Sequence, residues 1–334
     1  MKMFANRSCL VMVFIMIVMV GLTPCAVFAG GKVVFADQGF DSIRTHNRIA
    51  GFILKHGYGY EPEYMMAESL TVLPSLGRGD IDIFMECWVD NYQEAYDKIV
   101  KTGKALDLGA NFPDSWQGWL VPTYVIKGDP ARGIKPVAPD LKTVFDLKDY
   151  WKLFKDPEDP SKGAFISCIP GWGCQKVNNL KLQGYGLDEQ FNHIVPGSDA
   201  ALSGSMIAAY KKGLPWVGYY WAPTWVLGKL DMTPLEEPPY DKNLWNDKDK
   251  YACAYPSVKV NIVVSAMFNK RSPEVVEFLK KYETTLQLNN VMLAHMKDTN
   301  ATAGQTAVWF LKTYDELWTQ WVPAEVAKKV KASL

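Results

Sequence analysis

The chain reads as an α/β protein. Strand-like and helix-like stretches alternate along its length. Its 334 residues suffice for about two domains, each able to bury a core and leave a cleft between them. A hydrophobic fraction of 48% and a charged fraction of 22% are ordinary for a globular chain and exclude wholesale disorder. Lys and Arg number 36 against 36 Asp and Glu, so there is no basic footprint for nucleic acid. The unusual feature is aromatic. There are 12 Trp, 16 Tyr and 15 Phe, and every tryptophan lies between Trp88 and Trp321.

The first segment is an address. Lys2 and Arg7 precede an apolar run from Leu10 to Leu22, followed by Thr23-Pro24 and Val27-Phe28-Ala29. These are the basic, apolar and small-residue parts of a secretory signal peptide. The run of 13 residues is too short to span a bilayer comfortably. Residues 1–29 are expected to be removed after Ala29, because Val27 and Ala29 are residues a signal peptidase reads. A retained membrane anchor is one alternative. A lipid anchor on Cys25 is another, for which Pro24 is a poor preceding residue. Losing Lys2 and Arg7 leaves 34 basic against 36 acidic residues.

The elements then follow in order. Val33 to Ala36 reads as a strand. Ile43 to His56 reads as a helix ending at Gly57, with Ile49, Phe52 and Ile53 on one face. Ile81 and Ile83 alternate with Asp80 and Asp82 as a short strand leading to Glu86-Cys87-Trp88. A helix from about Asn91 to Thr102 closes at Gly103. Gly118 to Lys127 is strand-like and meets the turn Gly128-Asp129-Pro130. Arg132 to Lys162 reads as surface loops around a short helix. Ala164 to Ser167 is a strand ending in Cys168-Ile169-Pro170-Gly171-Trp172-Gly173-Cys174, with a helix following to Gly184. Ser198 caps a helix through Lys212, stopped by Gly213. Trp216 to Trp221 is an aromatic strand, Asp231 to Lys250 a Pro-rich loop, and Val258 to Phe268 a strand. Ser272-Pro273-Glu274 starts a helix. The C-terminal third is helical, with Trp309, Trp318 and Trp321 on its repeat.

Secretion changes how the cysteines read. Cys87, Cys168, Cys174 and Cys253 remain, an even number in an oxidising compartment. Cys168 and Cys174 bracket a turn that can fold back on itself and are the favoured pair. Cys87 then pairs with Cys253, or both stay free. A metal site is discounted, since there is no CxxC and no His at ligand spacing.

No enzyme motif stands out. His46, His56, His193 and His295 lie in no HExxH and beside no nucleophile motif, and neither GxSxG nor a P-loop occurs. No catalytic residue and no cofactor is expected. The informative residues are three tryptophans at strand-to-loop junctions, where open α/β folds place ligands. Trp88 follows a strand, Trp172 sits in the Pro-Gly-Trp-Gly turn, and Trp221 ends the strand Tyr219-Tyr220-Trp221. A lone Trp is more often core than site. Several ring faces together can surround a cation that donates no hydrogen bond, such as a quaternary ammonium. Beside them, the helix starting at Gly173-Cys174 offers unpaired N–H groups and a dipole that favours an anion. The pair describes a receptor for a zwitterion. A plain disulfide-braced turn is the alternative reading of that helix start.

These residues are familiar together. The Cys168-Ile-Pro-Gly-Trp-Gly-Cys174 turn resembles the disulfide-bracketed PGWGC turn of periplasmic glycine betaine/proline betaine-binding proteins, which serve ProU-type ABC importers. Lys211 to Trp225 resembles that family's WxPxxW segment after an aromatic strand. Gly79-Asp80-Ile81-Asp82-Ile83 leading to Trp88 resembles its GDxD strand. The resemblance spans nearly the whole chain beyond the signal segment.

It implies a type II periplasmic binding protein fold, two α/β lobes joined by two crossing strands with the ligand cleft between them. Crossings near Pro122 and Pro256 would give one lobe from 30–121 plus 256–334 and another from 122–255. Trp88, Trp172 and Trp221 would form a tryptophan box, and the N–H groups of Gly173 and Cys174 would hold a carboxylate. Where some relatives carry a His that helps with the carboxylate, this chain has Tyr92, which donates one hydrogen bond and is neutral. Glu86 resembles relatives that take trimethylamine N-oxide or other methylamines, and would assist a cation but repel a carboxylate. Phe40-Asp41-Ser42 is a weaker candidate for the rim, and Trp225 a neighbour of the cage. The expected protein is a periplasmic, monomeric, non-enzymatic receptor. It would capture glycine betaine or a close methylated zwitterion and deliver it to a membrane permease. Trimethylamine N-oxide, choline and carnitine are alternative ligands. A secreted enzyme acting on methylated amines, or a sugar-binding module with Trp platforms, are alternatives of another class.

Overall fold

Two five-stranded sheets organise the chain. The computed structural model describes residues 30–245, 247, 251–256 and 260–334. The expected signal segment, with Cys25, lies outside them, as does the expected strand start at Val258. In chain order, β1 (Lys32–Asp37), α1 (Asp41–Ile53), β2 (Glu61–Met66), α2 (Ser69–Arg78), β3 (Ile83–Trp88), α3 (Gln93–Lys101) and β4 (Ala105–Phe112) come first. Next are β5 (Trp116–Pro122), α4 (Thr123–Lys127), α5 (Leu147–Tyr150), β6 (Gly163–Ile166), α6 (Gly173–Gly184) and β7 (Phe191–Ile194). Then come α7 (Asp199–Lys212), β8 (Gly218–Ala222), β9 (Met232–Pro234) and α8 (Lys242–Trp245). After β10 (Val260–Ser265) the chain is helical, through α9 (Ala266–Arg271), α10 (Pro273–Leu279), α11 (Leu286–Asp298), α12 (Ala303–Thr313), α13 (Asp315–Trp318) and α14 (Ala324–Lys331).

The two sheets share one design. The first has strand order β2-β1-β3-β10-β4 and the second β7-β6-β8-β5-β9. In the first, β1 runs parallel to β2 and β3, while β10 lies antiparallel to β3 and β4. In the second, β6 runs parallel to β7 and β8, while β5 lies antiparallel to β8 and β9. Each sheet therefore receives its one antiparallel strand from the stretch that follows a sheet change. The chain leaves the first sheet after Phe112 and enters the second at Trp116. That sheet change lies upstream of Pro122, near which a crossing was expected, because β5 already pairs with β8 from Trp116 to Leu120. By Val260 the chain is back in the first sheet.

Local chemistry explains most elements. All six residues of β3 are buried, as suits a central strand covered on both faces. Ser198 accepts the Ala201 N–H and Gly213 takes φ +69°, so α7 starts and stops as read. Other stretches differ. α1 does not run to His56 as regular helix. It passes after Ile53 into one π-turn over Leu54–Tyr58, ended by Gly59 at φ +77°. The strand expected over Gly118 to Lys127 ends at Pro122, and α4 takes the rest. The strand expected to reach Phe268 stops at Ser265, whose hydroxyl caps α9.

Two apolar cores result. One joins the first sheet to the C-terminal helices through Phe35, Ile83, Ile262, Phe278, Trp318 and Trp321. The other runs from Leu73 and Phe84 in the first lobe, through Trp88, Trp172 and Trp221, to Trp119 and Phe165 in the second. The three singled-out tryptophans thus sit where apolar packing passes from one lobe to the other.

Candidate functional site

Each of the three tryptophans is placed by a strand end or a turn. Trp88 closes β3, and Trp221 lies near the end of β8. Trp172 stands in N-cap position on α6, in extended backbone with φ −90° and ψ 142°. The turn before it is braced by a Cys168–Cys174 disulfide with Cα atoms 6.2 Å apart. Cys87 and Cys253 are both free and buried, the second of the two expected alternatives.

These side chains meet in one small cavity with about 30 Å³ of room for water-sized occupants, lined by Phe40, Ser69, Trp88, Asn91, Tyr92, Trp172, Gly173, Cys174, Tyr219 and Trp221. Trp172 and Trp221 meet edge to face, with centroids 5.1 Å apart and planes at 83°. Phe40 stands near-perpendicular to both, with centroids at 5.4 Å and 6.1 Å. Ring faces held perpendicular to one another enclose a corner rather than a flat platform. Six of the seven expected ligand residues line this space, namely Trp88, Trp172, Trp221, Gly173, Cys174 and Tyr92.

The polar end is built from α6. No side chain caps this helix, and its first two residues, Gly173 and Cys174, line the cavity. Gly173 is required by close approach, since a Cβ there would lie 2.1 Å from the backbone O of Asn91. Tyr92 adds a hydroxyl, which accepts the Trp88 backbone N–H at 2.8 Å.

Glu86 is placed differently. It is fully buried, does not line the cavity, and faces α1. Its Oε2 accepts from the Ser42 hydroxyl at 3.1 Å, and its Oε1 lies 3.7 Å from His46 Nε2. Burial pushes the carboxyl up to about 8, against hydrogen bonding from Ser42 and Trp88. Burial likewise pushes His46 down to about 3. Burial thus biases both groups toward their uncharged forms, which disfavours Glu86 as a counter-charge. The physical reason is its place in β3, one side-chain repeat deeper than Trp88.

Residues that local pattern did not mark complete the closure. Glu68 accepts the Trp172 indole N–H at 2.6 Å. The backbone N–H of Leu70 donates to Gly171 at 3.3 Å. Asn91 and Gln117 exchange paired amide hydrogen bonds of 3.2 and 3.1 Å, and Tyr219 donates to the same Gln117 oxygen at 2.8 Å. The first three contacts join the two lobes across the cleft. Phe40, named only as a rim candidate, is a wall of the cavity. Trp225 is not. It lines a second, small pocket with Asp41, Asp199, Tyr220 and Leu293, sharing Phe40 and Trp221 with the first. Lys297 lies 4.4 Å over its ring. Among the described residues no group of His, Cys, Asp and Glu could hold a metal ion, and no helix is long and apolar enough to cross a membrane.

Comparison with known proteins identifies the family and the fold. A family model described as the substrate binding domain of ABC-type glycine betaine transport systems (OpuAC) matches residues 31–313. The chain is 26% identical over 269 residues to the glycine betaine/proline betaine-binding periplasmic protein of Escherichia coli K12, covering 76% of this chain and 77% of that one. It is 22% identical over 285 residues to the trimethylamine N-oxide-binding protein of Pelagibacter ubique HTCC1062, covering 83% and 88%. The crystal structure of a glycine betaine/L-proline-binding protein (ProX) from Borrelia burgdorferi superposes with a TM-score of 0.73 at 20% identity, covering 90% of this chain and 99% of that one. The fold is that of a type II periplasmic binding protein. The chain belongs to the OpuAC family of ABC-importer substrate-binding domains.

Proposed function

We propose that this protein captures glycine betaine or a closely related methylated zwitterion and hands it, chemically unchanged, to the membrane permease of an ABC importer. The observation that carries the reading is the meeting of Trp88, Trp172 and Trp221 with the uncapped start of α6 in one cavity. The ring faces would hold a trimethylammonium group, which offers no hydrogen bond and is held by cation–π attraction. The N–H groups of Gly173 and Cys174, with the Tyr92 hydroxyl, would hold the carboxylate. The charged ends of one ligand would then touch residues of both lobes, and closure would be the bound state. The lobes of this reading divide where the chain changes sheets, between Phe112 and Trp116 and again before Val260. The protein would act outside the cytoplasmic membrane as a monomer after removal of residues 1–29.

Titration followed by calorimetry and intrinsic fluorescence, against glycine betaine, proline betaine, choline, carnitine and trimethylamine N-oxide, tests the ligand class. Saturable binding of glycine betaine is expected, and absence of heat or spectral change with all five overturns the reading. Trimethylamine N-oxide is the second reading, motivated by the relative named for it; preference for it over glycine betaine would make it the ligand. Recovery of altered ligand after long incubation would point to an enzyme, and competition by sugars to a carbohydrate site.

A further inference from the structure

The carboxylate that touches the cage is Glu68. Its backbone sits at the N-cap of α2 with φ −78° and ψ 152°, and its carbonyl accepts the N–H groups of Thr71 and Val72. The side chain is therefore not spent on capping its own helix, and reaches across the cleft to the Trp172 indole nitrogen at 2.6 Å. The approach is close along its whole length. A Cβ at Gly171, whose φ is +86°, would lie 2.9 Å from the Glu68 Cβ. Leu70, two residues on, donates its N–H to the Gly171 carbonyl. The α2 start and the Trp172 turn are thus matched surfaces of opposite lobes.

From this geometry we infer that Glu68 is a positioning residue of the cage, acting on the ligand's cation through Trp172 in the closed protein. This rests on the methylammonium reading given above. Two effects follow from the one hydrogen bond. A carboxylate acceptor fixes the in-plane orientation of the indole, so that its face rather than its edge meets the cavity. An indole that donates to a negative acceptor is polarised, with electron density moved into the ring. Cation–π attraction grows with the negative charge of the ring face, so the polarised Trp172 holds a cation more tightly. Because donor and acceptor belong to different lobes, the bond also exists only when the cleft is shut. Glu86, the carboxyl two residues before Trp88, does not line the cavity and contacts Ser42 and His46 instead, so it does not fill this role.

The test uses the full-length mature protein, wild type and Glu68→Gln, each also in a Trp172→Phe background, titrated with glycine betaine and with its uncharged-head isostere 3,3-dimethylbutanoate. Glu68→Gln should weaken glycine betaine by roughly three- to tenfold and the isostere less, narrowing the preference between them. In the Trp172→Phe background, which keeps a ring but has no N–H, the same change should cost less than about twofold. The Trp172 indole N–H resonance of the loaded protein should move upfield in Glu68→Gln, reporting the weakened bond, while the change in preference between the charged ligand and its isostere is what a merely structural role would not produce. Equal losses for both ligands, equal losses in both backgrounds, or an unmoved resonance would overturn the inference. If wild type itself binds no methylated amine, the functional reading fails instead, so the two failures are distinguishable.

Discussion

Gly173→Ala separates closing from folding. Gly173 is the first residue of α6, where alanine is the better helix former by about 0.5–1 kcal/mol. Within its own lobe the substitution is harmless. Across the cleft it is not, because the new Cβ would stand 2.1 Å from the Asn91 carbonyl oxygen, about 1.3 Å short of an ordinary 3.4 Å contact. The obstacle is backbone, since the Asn91 carbonyl carbon is 2.7 Å away, and it cannot be relieved by turning a side chain. The lobes must stay apart by roughly that distance. The paired Asn91–Gln117 bonds at 3.2 and 3.1 Å would then break, and the α6 start would withdraw from a ligand held by Trp88. Two amide bonds at about 1 kcal/mol each, plus a weakened charge-assisted contact, total about 2–4 kcal/mol. Glycine betaine affinity should fall roughly thirtyfold to several hundredfold, read by calorimetry. The melting temperature of the ligand-free protein should stay level or rise. Affinity within threefold of wild type would show that the lobes do not close on this contact, and a large loss of ligand-free stability would show that Gly173 serves the fold.

Three further expectations follow from the site. Trp172→Ala should cost about 1–3 kcal/mol of glycine betaine binding, and calorimetry showing unchanged affinity would remove Trp172 from the cage. Glu86, raised to about 8 by burial, holds a proton in the fold that the unfolded chain releases above the ordinary carboxyl value of 4.5. It therefore stabilises most below that value, and the contribution is lost as pH rises through about 8. His46, lowered to about 3, adds stability as pH rises from about 3 to the ordinary imidazole value of 6.5. The two slopes oppose each other in between, so a fall between about 6.5 and 8 should be visible in urea midpoints and absent in Glu86→Gln. Cys168→Ser should lower stability by about 2 kcal/mol and loosen the turn that carries Trp172; equal denaturation midpoints and equal ligand affinity would contradict it.

Much of the site was legible because its chemistry is local in sequence. The Pro170-Gly171-Trp172-Gly173 turn carries the disulfide, a ring and the helix start within seven residues. Trp88 and Trp221 are marked by their places at the ends of hydrophobic strands. The Ser198 cap and the Gly213 stop are single-residue signals with a mechanism. What escaped is what depends on the other lobe. Glu68, Asn91 and Gln117 are ordinary polar residues in ordinary stretches, and only the approach of a distant segment gives them partners. Burial also reversed an expectation, since Glu86 reads as a strand-end carboxylate but is packed beneath α1 with Ser42 and His46. Among the elements, β2 has the sequence Glu-Pro-Glu-Tyr-Met-Met, with Tyr64 as its one strand-favouring residue. It is an edge strand held by its register with β1. In β4, Gly109 at φ +101° breaks the alternation that would have revealed it.

The apolar core that runs unbroken through the cleft has a consequence for telling full from empty. Trp88, Trp172 and Trp221 are only 7, 7 and 4% exposed with the lobes together, so shutting expels water from them whether or not a solute is present. Left to that force alone, such a receptor would present itself to its transporter falsely loaded. The uncapped start of α6 opposes this. Sealing its N–H groups away from water without an acceptor carries a desolvation cost that an anionic solute removes. On the proposed reading the aromatic walls would supply the pull and the bare helix end the check, so occupancy would be reported by the polar end of the ligand more than by the part the cage holds.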